Sequence, residues 1–156
     1  MKRIKDQQGF TLFESVCVLL IVSILSIIPV LKYTQWQQQR SINQQLNQFE
    51  RLYEKCQQHA IMTGFPSLIE VDSNRQSIFF TYSKNGKNQM EILNIGNGLS
   101  VQVYKLEGID KLTLSSSTGR PSSLMIFTFI DVVNQVSIEY KVQMTNSKVM
   151  RHEEKL

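Results

Sequence analysis

Glu14 is the residue whose surroundings most strongly suggest a chemical role, because no further charged side chain follows it until Lys32. A carboxylate beside so long an apolar run is costly to bury and needs a cation or a route to water. The predicted chemistry is charge pairing, in which an ammonium group offsets the cost of burying the carboxylate. A local alternative remains open, since Thr11 and Glu14 have the Thr-x-x-Glu spacing of a helix capping box.

The remaining reactive side chains do not form a catalytic pattern. His59 and His152 lie in no metal-binding or Cys-His motif, so we expect no enzyme activity, no cofactor and no metal. Cys17 and Cys56 are 39 positions apart, or roughly 58 Å on one straight helix, too far for a disulfide. Cys56 is therefore either a small buried hydrophobe or the site of an intermolecular disulfide.

Length and charge limit the function classes. A chain of 156 residues is one domain, or one small domain with an anchor. Its net charge of +4 comes largely from Lys2, Arg3 and Lys5. A cut after Gly9 would remove these three cations and Asp6, leaving 14 basic and 12 acidic side chains and a charge of +2. This excess is too small to indicate nucleic-acid binding, and we expect no direct contact with DNA.

The segment from Phe10 to Leu31 predicts a transmembrane helix. Its 22 residues span about 33 Å as a helix, close to the thickness of a bilayer core. The basic residues before it place the N-terminus in the cytoplasm and the rest of the chain outside. Pro29 removes one helical hydrogen bond and predicts a bend. A cleaved secretory signal is the alternative, but no Ala-x-Ala site follows the apolar run.

The N-terminal sequence resembles the class III signal of type IV pilins and pseudopilins. The resemblance covers about the first thirty residues and rests on the basic stretch ending in Gly9 and on Phe10-Thr11-Leu12-Phe13-Glu14. It implies cleavage between Gly9 and Phe10 by prepilin peptidase and N-methylation of Phe10. It also implies assembly through Glu14, whose carboxylate would approach the Phe10 amine of a neighbouring subunit.

The polar stretch from position 32 to 64 predicts that the helix continues outside the membrane. Apolar residues recur at alternating spacings of four and three, which is typical of an amphipathic helix. These are Ile42, Leu46, Phe49, Tyr53, Cys56 and Ala60. Gly64 suits the helix end and Pro66 stops its continuation. Coiled-coil dimerisation is the alternative to packing on a sheet, although the stripe covers fewer than three heptads.

Positions 65–144 change to a period of two and predict an antiparallel meander in one sheet. The expected strands are Leu68–Asp72, Ile78–Tyr82, Met90–Ile95, Leu99–Val103, Ile109–Leu114, Leu124–Ile130 and Val136–Val142. The aromatic residues in these strands favour a core, with a stacking platform for single-stranded nucleic acid as the alternative. The polar tail 145–156 is expected to fray. The predicted fold class is α+β, with the long helix packed on the sheet as in pilins.

The resemblance implies a minor pseudopilin, with the partners and location of that family. The composition is rich in lysine and glutamine and poor in alanine, which resembles proteins of low-GC Gram-positive bacteria. Among pseudopilins of such bacteria, the nearest resemblance is to the D-type minor subunit of the competence pilus for DNA uptake. The expected partners are major and minor pseudopilins, prepilin peptidase, the assembly ATPase, the membrane platform protein and the lipid bilayer. The expected location is the cell membrane, then the cell surface. The alternatives are a type II secretion or type IV pilus subunit, and a single-pass membrane protein with an outward sensor or binding domain.

Overall fold

The computed structural model describes residues 12–105, 111–142 and 149–155 of the chain. Within these residues the chain forms one helix, α1 (Leu12–Thr63), and eight strands. The strands are β1 (Ser67–Asp72), β2 (Ser77–Lys84), β3 (Lys87–Asn94), β4 (Leu99–Lys105), β5 (Lys111–Leu114), β6 (Met125–Asp131), β7 (Val136–Val142) and β8 (Val149–Lys155). The chain divides into an N-terminal unit, Met1–Gln39, and a C-terminal unit, Arg40–Leu156. Helix α1 contributes residues to both.

The part of α1 in the C-terminal unit buries the predicted apolar stripe. All six stripe residues are at most 2% exposed, which confirms that this face packs against the protein's own sheets. The helix ends at Thr63, whose hydroxyl donates to the His59 carbonyl at 2.6 Å. Gly64 follows with a φ of 71°, a left-handed conformation that glycine adopts without steric cost.

The first sheet has the strand order β3-β2-β1-β5, and its neighbouring strands are antiparallel. Strands β2 and β3 form a hairpin through Asn85 and Gly86, and Lys84 pairs with Lys87. Positive φ angles of 54° and 72° at the two turn residues match the tight turn that an Asn-Gly pair favours.

The second sheet has the order β4-β6-β7-β8, so the predicted single sheet is wrong. Strand β5 pairs with β1 and β4 pairs with β6, instead of each joining its neighbour in sequence. The chain changes sheets at Gly96, whose backbone N–H and C=O both bond the Gln45 side chain on α1, at 2.9 and 3.1 Å. Asn97 and Gly98 have φ angles of 57° and 89°, and this turn leads into the second sheet instead of folding back on β3.

The expectation of a frayed C-terminal tail is wrong for Val149–Lys155. This segment forms β8 and pairs with β7 along its whole length, from Val142 opposite Val149 to Val136 opposite Lys155. Its side chains are mostly exposed, so backbone pairing forms this strand without an apolar stripe. Charged residues are common on edge strands because they discourage pairing with other chains.

Phe49 is the centre of the core and contacts both sheets from the helix. Its ring centroid lies 6.0 Å from that of Phe80 on β2 and 5.1 Å from those of Phe127 and Phe129 on β6. Tyr140 on β7 lies 5.2 Å away. The strand aromatics are therefore mainly core residues, and the stacking-platform alternative loses its basis. One helix packed on antiparallel sheets is the α+β class that the sequence predicted.

Candidate functional site

The described part of the predicted assembly site is the N-terminal end of α1. Glu14 lies in the first turn of the helix, where the helix dipole favours a negative charge by about 0.3–1 kcal/mol. Its side chain is exposed. Gly9, Phe10 and Thr11 lie outside the described residues, so the cleavage junction, the N-methylation site and the capping-box alternative stay predictions.

The first turns of α1, on both sides of Glu14, present apolar side chains on all faces of the helix. Leu12 and Phe13 are 84% and 77% exposed. The same exposure extends over the next turns, at Val16, Val18, Leu19, Leu20, Ile21, Val22 and Ile24. A helix that is hydrophobic all round is normally covered by lipid or by other helices. Within the described residues, no helix combines the length and the apolar character needed to cross a membrane.

Backbone carbonyls of this segment bond within the helix. Ser23 donates its hydroxyl to the Leu19 carbonyl at 2.7 Å, so this serine satisfies its polar group within the helix. Helix α1 continues through position 29 without interruption. The bend expected at Pro29 stays a prediction.

An aromatic pair lies at the polar end of the N-terminal unit. The rings of Tyr33 and Trp36 are 6.1 Å apart between centroids, and the two residues are 59% and 56% exposed. They are three positions apart and therefore share one face of the helix. The sequence interpretation gave them no role.

In the C-terminal unit, polar clusters tie α1 to each sheet. On the first sheet, Glu91 accepts hydrogen bonds from the Lys55 ammonium at 2.5 Å and from the Tyr82 hydroxyl. The Lys55 ammonium also lies 5.0 Å from the centroid of the Tyr82 ring, and His59 stacks on that ring at 4.6 Å. The hydrogen bonds from Lys55 and then Tyr82 lower the pKa of Glu91.

On the second sheet, Tyr140 donates its hydroxyl to Glu50 on α1 at 2.7 Å. Burial, followed by this hydrogen bond, raises the pKa of Tyr140. The helix is thus joined to the first sheet by Lys55, which donates to Glu91 on β3, and to the second sheet by Glu50, which accepts from Tyr140 on β7. Sequence reasoning missed both bonds, because Glu50 and Tyr140 are 90 positions apart and no local pattern relates them.

Gln76 joins the two sheets in the same way that Gln45 joins the helix to Gly96. Its side-chain oxygen accepts from the Val101 N–H at 2.6 Å and its side-chain nitrogen donates to the Val101 carbonyl at 3.3 Å. The amide therefore makes the two bonds that a neighbouring strand would make to β4. Gln76 itself has a φ of 50° at the end of the β1–β2 turn.

Cys56 lies in the core with no exposed surface. Burial raises the pKa of its thiol to about 12, so the thiol is neutral near physiological pH. Its backbone carbonyl accepts a 2.8 Å hydrogen bond from the buried Ser67 hydroxyl. The structure favours the buried-hydrophobe interpretation, because an intermolecular disulfide at Cys56 would require the core to open.

An open groove of about 540 Å³ lies against the first sheet. Its walls include Glu70, Asp72, Phe79 and Met90. The carboxylates already have cationic neighbours, since Lys111 lies 3.4 Å from Glu70 and Arg75 lies 3.6 Å from Asp72. Within the described residues, no group of three or more His, Cys, Asp or Glu side chains is arranged to hold a metal ion.

Comparison with known proteins identifies the fold. No protein-family model matches the chain, and no curated protein matches it. Among solved structures, the minor pseudopilin EpsH from the type 2 secretion system of Vibrio cholerae is similar, with a TM-score of 0.55 and 14% sequence identity. The alignment covers 68% of this chain and 91% of the EpsH chain.

The chain has a pseudopilin-like fold. At 14% identity the likeness to EpsH concerns the fold alone. It agrees with the predicted α+β class, and the structure has one long helix packed on two antiparallel sheets.

Proposed function

We propose that this protein is a minor pseudopilin of a competence pilus for DNA uptake. The observation that carries the proposal is the N-terminal end of α1, where one carboxylate, Glu14, precedes turns of exposed apolar side chains on a chain with a pseudopilin-like fold. Such a helix needs lipid before assembly and neighbouring helices after it. The leader-like residues before it supply the signal that resembles a prepilin processing site.

The proposed pathway begins in the membrane, with positions 10–31 as a single span and the N-terminus in the cytoplasm. Prepilin peptidase cuts between Gly9 and Phe10 and methylates the new amine. The Phe10 ammonium of one subunit then pairs with the Glu14 carboxylate of its neighbour. Pairing in low dielectric offsets the cost of burying each charge separately. The pair therefore selects processed subunits for assembly.

In this proposal the protein has a structural role and no catalytic one. Its partners are the major and minor pseudopilins, and the assembly ATPase and platform protein drive its incorporation. The C-terminal unit buries its own helix stripe, and the exposed apolar side chains of the N-terminal unit would be covered on assembly. Contact with DNA is not part of the proposal, because the net charge after cleavage would be only +2.

A type II secretion pseudopilin is the second candidate, and the likeness to EpsH favours it. The two candidates share the fold, the processing and the assembly chemistry, and they differ in the machinery that is served. Deletion of the gene decides between them. A competence subunit predicts a loss of transformation with normal protein secretion, and a secretion subunit predicts the reverse.

The N-terminal mass of the membrane-extracted protein tests the processing step. We expect a chain that begins at N-methylated Phe10. A chain that begins at Met1, remains monomeric in the membrane and never appears in material sheared from the cell surface would contradict the proposal. That result would instead favour a single-pass membrane protein with an outward binding domain.

A further inference from the structure

Tyr33 and Trp36 form an exposed aromatic pair that the assembly proposal leaves without a role. Their ring centroids are 6.1 Å apart and their planes are inclined by 37°. Both residues are more than half exposed. Each has a large apolar ring and one polar group, the combination that suits a boundary between hydrocarbon and water.

The pair lies where the helix changes from apolar to polar. No charged residue occurs between Ser15 and Leu31, whereas three glutamines and Arg40 follow Trp36. Glu14 and Tyr33 are 19 positions apart, which corresponds to roughly 28 Å along a helix, close to the thickness of a bilayer core of about 30 Å. When Glu14 lies at one boundary of the hydrocarbon, the aromatic pair reaches the other.

We propose that Tyr33 and Trp36 bind the outer headgroup layer of the bilayer and set the depth of the helix before assembly. The inference rests on the membrane anchoring in the proposed function and adds a lipid-binding site to it. The ligand is the phospholipid boundary where headgroups meet acyl chains. A fixed depth keeps Glu14 near the inner boundary, at the level where the Phe10 amine of a neighbour would meet it.

Trp36 makes this depth measurable, because the chain contains a single tryptophan. The protein is reconstituted into phosphatidylcholine and phosphatidylglycerol vesicles that carry bromine near the headgroups, at mid-chain or near the bilayer centre. We expect shallow bromines to quench the Trp36 fluorescence about twofold more than central ones, because the indole lies in the interface. Soluble acrylamide should quench it only partly.

A shifted tryptophan is the matched control. Trp36→Phe combined with Gln39→Trp moves the indole outward by three residues, or about 4.5 Å. Quenching by shallow bromines should fall, and quenching by acrylamide should rise. Equal quenching profiles in both proteins would overturn the inference. A blue-shifted Trp36 that no brominated lipid quenches would also overturn it, because a neighbouring protein helix would then cover the pair.

Cys17 distinguishes failure of this inference from failure of the membrane anchor. In a Cys56→Ala background, Cys17 is the single remaining cysteine, and it lies within the apolar run. A membrane-impermeant maleimide should not label it in vesicles. Protection of Cys17 together with a fully water-exposed Trp36 overturns the depth assignment and leaves the anchor intact. Labelling of Cys17 overturns both.

Discussion

Glu14 is exposed at the N-terminal end of α1, beside a run of exposed apolar side chains. In the first turn of α1 its carboxylate interacts favourably with the helix dipole. The apolar side chains that follow it are exposed and require lipid or protein around them. Once this surface is covered, the carboxylate is brought into low dielectric and needs a cation. In the proposed function, assembly would create this need for a cation, and the Phe10 amine of a neighbour would satisfy it.

Replacing Glu14 by alanine tests that argument. We expect Glu14→Ala to be cut normally, because the cleavage junction is unchanged, and to fall at least about tenfold in material sheared from the cell surface, since a lost buried pairing costs more than 1.4 kcal/mol. Immunoblots of membrane and sheared fractions measure both effects. Glu54→Ala, which removes an exposed carboxylate from the same helix in the C-terminal unit, is the control. Normal incorporation of Glu14→Ala would argue against the pairing.

Cys56 should be unreactive in the folded protein. Its thiol has no exposed surface, and burial raises its pKa to about 12. In a Cys17→Ala variant, we expect a maleimide to react at pH 8 only as fast as the C-terminal unit unfolds, and to react at once in denaturant. A non-reducing gel should show monomer. Rapid labelling of the native protein would mean that the core around Cys56 opens readily.

The Lys55–Glu91–Tyr82 cluster predicts a dependence of stability on acid. Hydrogen bonds from Lys55 and then Tyr82 lower the pKa of Glu91 in the folded state, so its contribution is present above the ordinary glutamate pKa. That contribution is lost as the pH falls through the lowered folded value. The pair is more than a third exposed, which limits the effect to about 1 kcal/mol or less.

Chemical denaturation of the wild type and Glu91→Gln between neutral and acidic pH measures this effect. The difference in unfolding free energy should be largest near neutral pH and should shrink on acidification. Glu154→Gln, on the exposed edge strand β8, serves as the control and should show a smaller difference throughout. A difference for Glu91→Gln that stayed constant with pH would show that its charge is not the cause.

At the scale of elements, helix α1 packs against both sheets and contributes to the core that they share. Phe49 contacts aromatic rings from β2, β6 and β7 and has no exposed surface. Removing its ring leaves a cavity that three strands border and that cannot close by the movement of one side chain. We expect Phe49→Ala to lower the unfolding free energy by about 3–5 kcal/mol.

Phe65→Ala is the matched control for this substitution. It removes the same ring from a position that is 57% exposed just after the helix. We expect a change within about 0.5 kcal/mol, as for most surface substitutions. Thermal and denaturant unfolding of both variants gives the comparison. Similar losses for the two phenylalanines would show that the helix contributes little to the joint core.

Local patterns in the sequence predicted the helix and most of the strands, because interactions between residues close in sequence favour these elements. The alternating four-and-three spacing identified the buried face of α1, and the period of two identified the strands β1 to β7. The choice of strand partners is not local, so the pairing of β1 with β5 and the separation into two sheets were missed. Strand β8 was missed because backbone pairing with β7 forms it and its side chains carry no apolar period.

In the candidate site, too, the features formed by neighbouring residues could be predicted, and those formed by distant residues could not. A peptidase recognises a processing signal as a continuous stretch of chain. The resemblance to a prepilin signal could therefore be recognised from the contiguous residues Gly9 to Glu14. The bonds that hold the helix to the sheets join residues far apart in sequence, such as Lys55 with Glu91 and Glu50 with Tyr140. Glutamate, lysine and tyrosine are common on protein surfaces, and nothing in their local sequence marks these four.

At the scale of the whole molecule, the two units differ in how far their apolar side chains are buried. The C-terminal unit buries its apolar side chains in one core that the helix and both sheets share. Among the described side chains of the N-terminal unit, the large apolar ones from Leu12 to Ile24 are about half exposed or more. Stability should therefore depend on the C-terminal unit, and assembly on the N-terminal unit. Substitutions in the N-terminal unit should affect assembly, and substitutions in the C-terminal unit should affect stability.

Gly9→Val provides the sharpest test of this separation. A branched side chain at the cleavage junction should block the peptidase, so the leader stays attached and Phe10 has no free amine. We expect the uncut protein to remain in the membrane and to be absent from sheared material. Its C-terminal unit should unfold at the same denaturant concentration as the wild type, because position 9 lies outside that unit.

Comparison with Glu14→Ala then isolates the charge pair. Gly9→Val removes the amine and keeps the carboxylate, whereas Glu14→Ala removes the carboxylate and keeps the amine. The two variants should differ in N-terminal mass and should share the failure to assemble, because a pair is lost when either partner is missing. Incorporation of an uncut Gly9→Val protein would mean that apolar packing of the helix suffices for assembly, and Glu14 would then need another explanation.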